Sequence, residues 1–289
     1  MSDRTDFPLV SIGMPVYNEA RFIDASLTAL RRQDYPNLEI LICDNASTDD
    51  TVAICERHAC ADVRIRIERW SENRGAIANF QRSLDLAQGT YFMWASGHDL
   101  WTDNLVSACA VLLRANDGAS IAFATSNWID GEDRSIARVS GWTDTRGGAP
   151  AARLLTVFWG NMHPILGLIR TSHLRACPPM PNITGCDLVV LAELALRGHF
   201  VHATNALWSR REFRVEPRYE DKLRRYSSAA TGIGGSRFQR IFPLLNLPIA
   251  LMRVVMRSNL SSVDKMLLLP VLLVSFPLRY RIGRRAKVE

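Results

Sequence analysis

Each of three short apolar runs in the first third of the chain ends in a polar group that could bind a ligand. These groups are Glu19, Asp44, His98 and Asp99. A carboxylate in such a position can accept hydrogen bonds from a nucleobase or a ribose, and carboxylate or imidazole groups can hold a divalent ion. The residue types therefore indicate a binding site assembled from three separate segments of the chain.

The run at residues 40–43, with sequence ILIC, stops abruptly at Asp44. A short continuous apolar run closed by turn residues predicts a fully buried strand of a parallel sheet. Ligands of open α/β sheets bind just beyond the carboxyl ends of such strands, which is where Asp44 would lie. The alternative is that Asp44 only starts a turn and that Ser47 or Thr48 only caps the next helix.

The hydrophobic periodicity alternates between strand and helix along the first half. Strands are predicted at residues 10–14, 38–43, 63–68, 91–95 and 121–125, and helices at 21–33, 50–58, 76–86 and up to 114. This alternation predicts an α/β fold with a mainly parallel sheet and helices on both faces. The carboxyl ends of parallel strands share one edge, so the three polar segments would line one crevice.

The second half is less regular. Residues 141–151 are rich in small and turn residues, which predicts a mobile loop. A strand at 165–170, a helix at 187–197 and an edge strand at 199–202 follow. We divide the chain into a domain at residues 1–218 and a helical, basic and apolar tail at residues 219–289.

Composition restricts the setting in which the protein works. The six cysteines are scattered without a CxxC pair, which favours reduced thiols in a cytosolic protein. The first residues carry no long apolar stretch, so we expect no secretory signal. The formal net charge is +6, and basic residues recur between the apolar blocks of the tail. An aromatic-studded basic surface is missing from the sequence, so we do not expect a nucleic-acid partner.

The tail admits two interpretations. Its apolar blocks at residues 241–252 and 266–278 are too short to span a bilayer, and Pro270 and Pro277 interrupt the second block. Short apolar helices flanked by basic residues suit a peripheral contact with the inner face of the cytoplasmic membrane. Alternatively, the tail is a helical subdomain that packs on the first domain and keeps its charges in water.

Five segments together carry a resemblance to a known family. They are VSIGMPVYNE, ILICDNASTDDT, the NRG turn at 73–75, the strand followed by HDLW, and GCDLVVLAELALRG. In this combination and order the chain resembles the family 2 glycosyltransferases over residues 9–214. The resemblance implies a GT-A fold and transfer of a sugar from a nucleotide-diphosphate donor to an acceptor.

The resemblance also implies roles for individual residues. Pro15, Tyr17 and Glu19 would bound the nucleotide pocket, and Asp44 would accept a hydrogen bond from the base, which suggests a UDP-sugar. Arg74 would approach the ribose or the diphosphate, although a surface arginine beside a helix start is an equal alternative.

The metal motif departs from the family pattern. The family places a run of aspartates where this chain has Ser96-Gly97-His98-Asp99. His98 would replace the metal-binding carboxylate and hold a divalent ion, Mn²⁺ or Mg²⁺. Asp99 would either be a further ligand of the ion and contact the nucleotide-sugar donor, or support the ligand from behind. A polar loop residue in a weakly metal-dependent or inactive protein is the alternative for His98.

Asp187 matches the residue that the family uses as its catalytic base. We therefore predict an inverting, hexosyltransferase-like enzyme of cell-surface glycan synthesis, with a saccharide or lipid-linked acceptor. A degenerate donor-binding protein without activity is the main alternative, suggested by Ser96 and His98. A nucleotidyltransferase is a weaker one, because the segment PVYNE lacks the glycine-rich, lysine-bearing loop which that chemistry requires.

Overall fold

The structure is a computed structural model that describes residues 7–137, 144–160, 163–213 and 245–285. Within these ranges nine strands form one sheet. They are β1 (Val10–Val16), β2 (Leu38–Asp44), β3 (Ile65–Arg69), β4 (Tyr91–Trp94), β5 (Leu100–Trp101), β6 (Ala119–Ile129), β7 (Ser135–Ile136), β8 (Leu168–Arg170) and β9 (His199–Arg211).

Helices connect and cover these strands. They are α1 (Ile23–Arg31), α2 (Thr51–Ala61), α3 (Ala76–Asp85), α4 (Leu105–Ala115), α5 (Pro150–Trp159), α6 (Thr171–Arg175), α7 (Cys186–Arg197), α8 (Asn246–Arg257) and α9 (Ser262–Arg285). A 3-10 turn at His163–Leu166 precedes β8, so the strand predicted at residues 165–170 is shorter than expected.

The first four strands in the order β3-β2-β1-β4 are all parallel. Val16 at the end of β1 pairs with Asp44 at the end of β2, and Gly13 of β1 pairs with Trp94 at the end of β4. This register brings the carboxyl ends of β1, β2 and β4 to one edge of the sheet. The prediction that the three polar segments share an edge is therefore confirmed.

The strand predicted at the sheet edge, residues 199–202, is an interior strand. β9 has 13 residues and lies between β6, to which it is parallel, and the short antiparallel β5. Ala203 pairs with Ala124 but Leu207 pairs with Thr125, so residues 204–206 form a bulge. This polar interruption hid the second half of the strand from the periodicity, and that half carries Trp208 and Arg211 toward the site.

Two hydrophobic clusters cover the two faces of the sheet. One includes α1 and α4 residues such as Leu27 and Leu113, packed against β1 and β2. The other joins Trp94 and Leu191 to the tail residue Phe276. The helices α8 and α9 thus pack on the domain through one face. No helix of the described residues is long and apolar enough to cross a bilayer.

Two sequence predictions fall partly outside the described ranges. The boundary at residues 218 and 219 lies within residues 214–244, which are outside the described part of the chain. Residues 138–143 are outside it too, but residues of the predicted mobile loop from Asp144 onward are anchored on β9. There the N–H of Thr145 donates to the carbonyl oxygen of Phe200 at 2.9 Å, and the N–H of Phe200 donates to Thr145 Oγ1 at 2.7 Å.

Candidate active site

The turns that follow β1 and β2 are joined by hydrogen bonds. The N–H of Asn18 donates to Ser47 Oγ at 3.0 Å, and the N–H of Thr48 donates to Asn18 Oδ1 at 2.8 Å. The N–H of Glu19 donates to Thr51 Oγ1 at 2.8 Å. The hydroxyl residues of DNASTDDT therefore hold the PVYNE turn in place, and Asn18 adopts the left-handed conformation, with φ of 54°, that this arrangement needs.

Asp49 strengthens the same junction. Burial raises the pKa of its carboxyl, but hydrogen bonds from Thr51 and from the N–H of Ala20 outweigh that effect, and the pKa lies below its ordinary value. Neither Asp49 nor Thr51 was predicted to be important from the sequence. The spacing of acidic and hydroxyl residues behind Asp44 was the signal available for them.

Asp44 ends β2 with its carboxylate 1% exposed. Its two oxygens lie 3.3 and 3.2 Å from the N–H of Ser47, and Nε of Arg69 lies 3.8 Å from Oδ2. Asp44 thus closes a turn, as the alternative interpretation held, and it also lies at the carboxyl edge of the parallel strands. Two other residues were predicted to bound the nucleotide pocket. Pro15 lies within β1 opposite Cys43, and Tyr17, just beyond the strand, is 43% exposed.

The NRG turn is positioned by Asn45. Its Nδ2 donates to Asn73 Oδ1 at 2.9 Å, and its Oδ1 accepts from the N–H of Arg74 at 2.9 Å. Gly75, with φ of 85°, starts α3. Arg74 is thereby placed beside the end of β2. Its guanidinium lies over the ring of Trp70 at 4.1 Å, a cation–π contact, and its side chain is 45% exposed.

The exit of β4 lies against the exit of β1. A Cβ atom on Gly97 would come within 3.0 Å of Glu19 Cγ and 3.2 Å of Val16 Cγ1, so glycine permits this close approach. Next to it, His98 Nδ1 lies 3.1 Å from Glu19 Oε2. The structure thus brings together Glu19, predicted to bound the nucleotide pocket, and His98, predicted to bind metal.

Asp99 is 2% exposed, and both of its carboxylate oxygens accept hydrogen bonds from β9. Trp208 Nε1 donates to Oδ2 and the N–H of Arg211 donates to Oδ1, each at 2.9 Å. Arg211 Nε also donates to the carbonyl oxygen of His98 at 2.8 Å. These contacts favour a supporting role for Asp99 over that of a direct ligand. Trp208 also contacts this segment and was missed, because the bulge concealed its strand. Arg211 forms an ion pair with Asp133 as well.

Phe213 packs beside His98. The ring of Phe213 lies 5.2 Å from that of His98 in an edge-to-face contact and 4.6 Å from that of Phe22. The buried guanidinium of Arg211 lies 4.5 Å from the Phe22 ring. The imidazole of His98 is therefore held between a carboxylate and an aromatic ring.

Asp187 lies in the first turn of α7, two residues after Gly185, which has φ of 86°. The far end of α7 joins β9 where β9 begins, at the amino edge of the sheet, and 12 helical residues extend about 18 Å. The first turn of α7, which contains Asp187, is therefore remote from the residue at which β9 begins. Glu193, farther along α7, is buried and forms an ion pair with Arg197.

The donor atoms present near His98 decide which kind of ion could bind. Among the described residues, no cluster of three or more His, Cys, Asp and Glu side chains could hold a metal ion. The contact with Glu19 engages Nδ1 and leaves Nε2 as the other ring nitrogen, while the oxygens of Asp99 are already hydrogen-bonded. The residues fit an ion that takes one imidazole nitrogen and completes its coordination with donor phosphates and water. They do not fit an ion enclosed by protein ligands alone.

Comparisons with known proteins identify the family. Residues 11–173, more than half of the chain, match the model of glycosyl transferase family 2. The chain therefore belongs to this family, and the resemblance stated from its motifs is confirmed.

One relative and two solved structures illustrate the likeness. The chain is 31% identical over 121 residues to the UDP-Glc:alpha-D-GlcNAc-diphosphoundecaprenol beta-1,3-glucosyltransferase WfgD of Escherichia coli, over 42% of this chain and 46% of that protein. The first curated relatives are all matched over less than half of their own length.

Residues 1–349 of S. aureus TarS, solved in complex with UDP-GlcNAc, superpose with a TM-score of 0.68 at 15% identity, over 92% of this chain and 71% of that one. The mannosyltransferase PcManGT of Pyrobaculum calidifontis, in complex with GDP-Man and Mn²⁺, gives 0.57 at 18% identity, over 99% and 86%. At these identities the likeness establishes the fold, and the predicted GT-A type is confirmed.

Proposed function

We propose that the protein transfers a sugar, with inversion, from a UDP-sugar to a hydroxyl group of a saccharide or lipid-linked acceptor in cell-surface glycan synthesis. The observation that carries this proposal is the convergence of three strand ends at one edge. Asp44 pairs in register with Val16, and His98 contacts Glu19. Such an edge can hold one nucleotide-diphosphate sugar along its length.

The nucleotide half of the donor would lie over β1 and β2. The carboxylate of Asp44 would accept the imide N–H of uracil, with Tyr17 and Pro15 bounding the base. The exposed guanidinium of Arg74 would reach the ribose or diphosphate, because guanidinium N–H groups match phosphate oxygens in geometry and charge. Glu19 would orient the imidazole of His98 through its contact with that ring.

The reaction needs one proton acceptor. Asp187 would take the proton of the acceptor hydroxyl while that oxygen attacks the anomeric carbon and the bond from this carbon to the diphosphate oxygen breaks. The nucleoside diphosphate leaves with the bonding electrons, and a single displacement inverts the anomeric configuration. The dipole of α7 favours the ionised form of a carboxylate in its first turn, which keeps Asp187 ready to accept the proton.

A divalent ion bound at His98 would neutralise charge that develops on the departing diphosphate. The chain's own contribution is the orientation of the imidazole: Glu19 holds Nδ1, and Phe213 packs against the ring. Asp99 would keep β9 and the His98 backbone in position through Trp208 and Arg211. His98 would thus replace the family's metal-binding carboxylate, and the carboxylate of Glu19 would support its imidazole.

Relatives support the choice of donor and acceptor. The name of WfgD specifies a UDP-sugar and a diphosphoundecaprenol-linked acceptor, and TarS was solved with UDP-GlcNAc. With a lipid-linked acceptor, sugar transfer would take place at the inner face of the cytoplasmic membrane, and the basic tail would contact that membrane.

The alternative function is nucleotide-sugar binding without transfer. It is favoured by the replacement of the family's aspartates at Ser96 and His98, and by the engagement of both Asp99 oxygens with β9. It predicts that donors bind to the protein and are never consumed.

A product assay separates these possibilities. The full chain is incubated with UDP-sugars, Mn²⁺ and a membrane extract containing lipid-linked saccharides, and released UDP and the anomeric configuration of the product are measured. The proposed function predicts UDP release that requires the acceptor and an inverted linkage. Donor binding without UDP release, with all acceptors tested, would support the alternative.

A further inference from the structure

The outward face of α9 is apolar along most of its length. Between residues 266 and 278, the buried positions are Leu268, Leu272, Ser275 and Phe276. The exposed positions in the same stretch are Met266, Leu267, Pro270, Val271, Leu273, Val274, Pro277 and Leu278. Every exposed residue of this stretch is therefore apolar, and we call these eight residues the α9 outer face.

The opposite side of α9 explains why the outer face is turned away from the protein. Phe276 packs edge to face on Phe158 of α5 with ring centroids 5.1 Å apart, and Leu268 and Leu272 join the same hydrophobic cluster. Arg279 donates a hydrogen bond to the carbonyl oxygen of Phe158. The helix is thus attached to the domain by one side, and its rotation about its own axis is fixed.

A helix that is apolar all round is normally buried on every side. Here Val274 is 70% exposed, Met266 67% and Leu267 62%. A contiguous apolar surface of this kind on a globular protein marks an interaction site, because covering it with another apolar phase removes unfavourable contact with water.

Charge identifies the kind of partner. Residues 246–285, which span α8 and α9, contain seven basic residues and the single acidic residue Asp264. This segment therefore has a formal charge of +6, as large as that of the whole chain. An apolar stretch that is flanked in the sequence by basic residues, here Lys265 and Arg279, fits a bilayer with anionic head groups. A second copy of the chain would bring the same cationic segment against itself, which is unfavourable.

The length and prolines of α9 indicate the depth of the contact. The apolar stretch of residues 266–278 extends about 20 Å along the helix, less than the roughly 30 Å of a hydrocarbon core. Pro270 cannot donate to the carbonyl of Met266, and such unpaired groups are tolerated at the hydrated interface better than inside hydrocarbon. A helix lying in the plane of the interface meets both conditions.

We propose that the α9 outer face inserts into the interface of a membrane that contains anionic lipids and holds the catalytic domain on its surface. The purpose of this contact rests on the proposed function, since a lipid-linked acceptor is confined to a membrane. Lipid binding itself needs no sugar transfer, so the two claims can fail separately.

The test is flotation of the full chain with vesicles of phosphatidylcholine alone or mixed with phosphatidylglycerol. The wild-type chain is expected to float with the mixed vesicles, more weakly at high salt and least with phosphatidylcholine alone. The double substitution Val271→Glu and Val274→Glu is expected to weaken binding about tenfold or more, because both carboxylates would enter an apolar, anionic interface. Val111→Glu, at an exposed position of α4, is the control and should bind like the wild type.

A second variant keeps the test decisive if the double substitution fails to fold. The wild-type chain has seven tryptophans of its own. The emission that Val274→Trp adds to that of the wild type should therefore be measured as a difference, and this added emission should be blue-shifted and quenched by brominated lipids only in mixed vesicles. Three results would overturn the proposal: no flotation of the folded wild-type chain, equal flotation of the folded Glu variant, or a dimer in solution that the Glu substitutions disperse without any lipid binding. UDP-sugar binding, measured on the same samples, reports separately on the proposed function.

Discussion

The Nδ1 atom of His98 lies 3.1 Å from Oε2 of Glu19, and these two residues follow different strands of the sheet. A carboxylate accepts hydrogen bonds, so in the neutral ring this contact places the hydrogen on Nδ1 and leaves Nε2 as the lone-pair nitrogen. Metal-binding histidines commonly donate their second ring nitrogen to a carboxylate in this way. The contact therefore gives Glu19 a role distinct from that of a pocket wall.

Glu19→Gln should weaken binding of Mn²⁺ in the presence of UDP by about tenfold or more, because the neutral amide supports the imidazole less well than a carboxylate does. Isothermal titration of Mn²⁺ into the UDP-bound chain measures this. Glu56→Gln, on the exposed side of α2, is the control and should titrate like the wild type. Equal Mn²⁺ affinity in all three proteins would remove the positioning role from Glu19.

Asp44→Asn should weaken UDP binding by about tenfold or more, since a hydrogen bond to a charged acceptor contributes about 1.5–3 kcal/mol. The comparison is Asp103→Asn, which removes the charge from an exposed ion pair with Arg32 and should leave UDP affinity unchanged. Competition with a fluorescent UDP analogue provides the measurement. The role of Asp44 would be untenable if both variants bound UDP like the wild type.

Asp99→Asn should lower the free energy of unfolding by about 1–3 kcal/mol. Both carboxylate oxygens face N–H donors of β9, so the amide would set an N–H group against one of them. Urea denaturation followed by tryptophan fluorescence measures the loss. Unchanged stability together with abolished Mn²⁺ binding would instead assign Asp99 as a metal ligand, as the resemblance to the family allowed.

Asp187→Asn should reduce turnover by about 10²–10⁴-fold while donor affinity stays close to that of the wild type, because only proton abstraction is lost. The product assay and the UDP competition assay together make this distinction. Unimpaired turnover with the true acceptor would show that another group is the base.

The thiols offer a prediction about accessibility. Burial raises the pKa of the Cys43 thiol to about 11 and that of Cys109 to about 12, so both stay protonated at neutral pH, and the thiolate is the reactive form. Cys60 is exposed. Iodoacetamide should therefore modify Cys60 first in the folded chain, as mass spectrometry of peptides would show. Early modification of Cys43 would mean that β2 is less protected than its burial indicates.

The arrangement of the strand ends at one edge of the sheet could be predicted from the sequence because the information for it is local. The runs ending at Met14, Cys43 and Ala95 have the apolar continuity of buried parallel strands, and turn residues stand directly behind each of them. Parallel pairing then dictates that their ends share an edge. The resemblance to family 2 supplied the residue roles, which composition and spacing could not.

The contacts made by β9 could not be predicted in the same way. Trp208 and Arg211 lie more than one hundred residues from Asp99 in the sequence, and a bulge at residues 204–206 breaks the periodicity between them and the start of the strand. The partnership of Glu19 with His98 was missed for a related reason. It depends on the close approach at Gly97, which only the three-dimensional arrangement reveals.

Hydrogen–deuterium exchange of the full chain, with and without a UDP-sugar and Mn²⁺, tests most directly whether three strand ends form one donor site. One ligand titration should slow exchange in the peptides that contain residues 17–20, 45–48 and 96–99, with the same concentration dependence for each. Protection of only one of these peptides, or of none while the donor demonstrably binds, would contradict a shared site at this edge of the sheet.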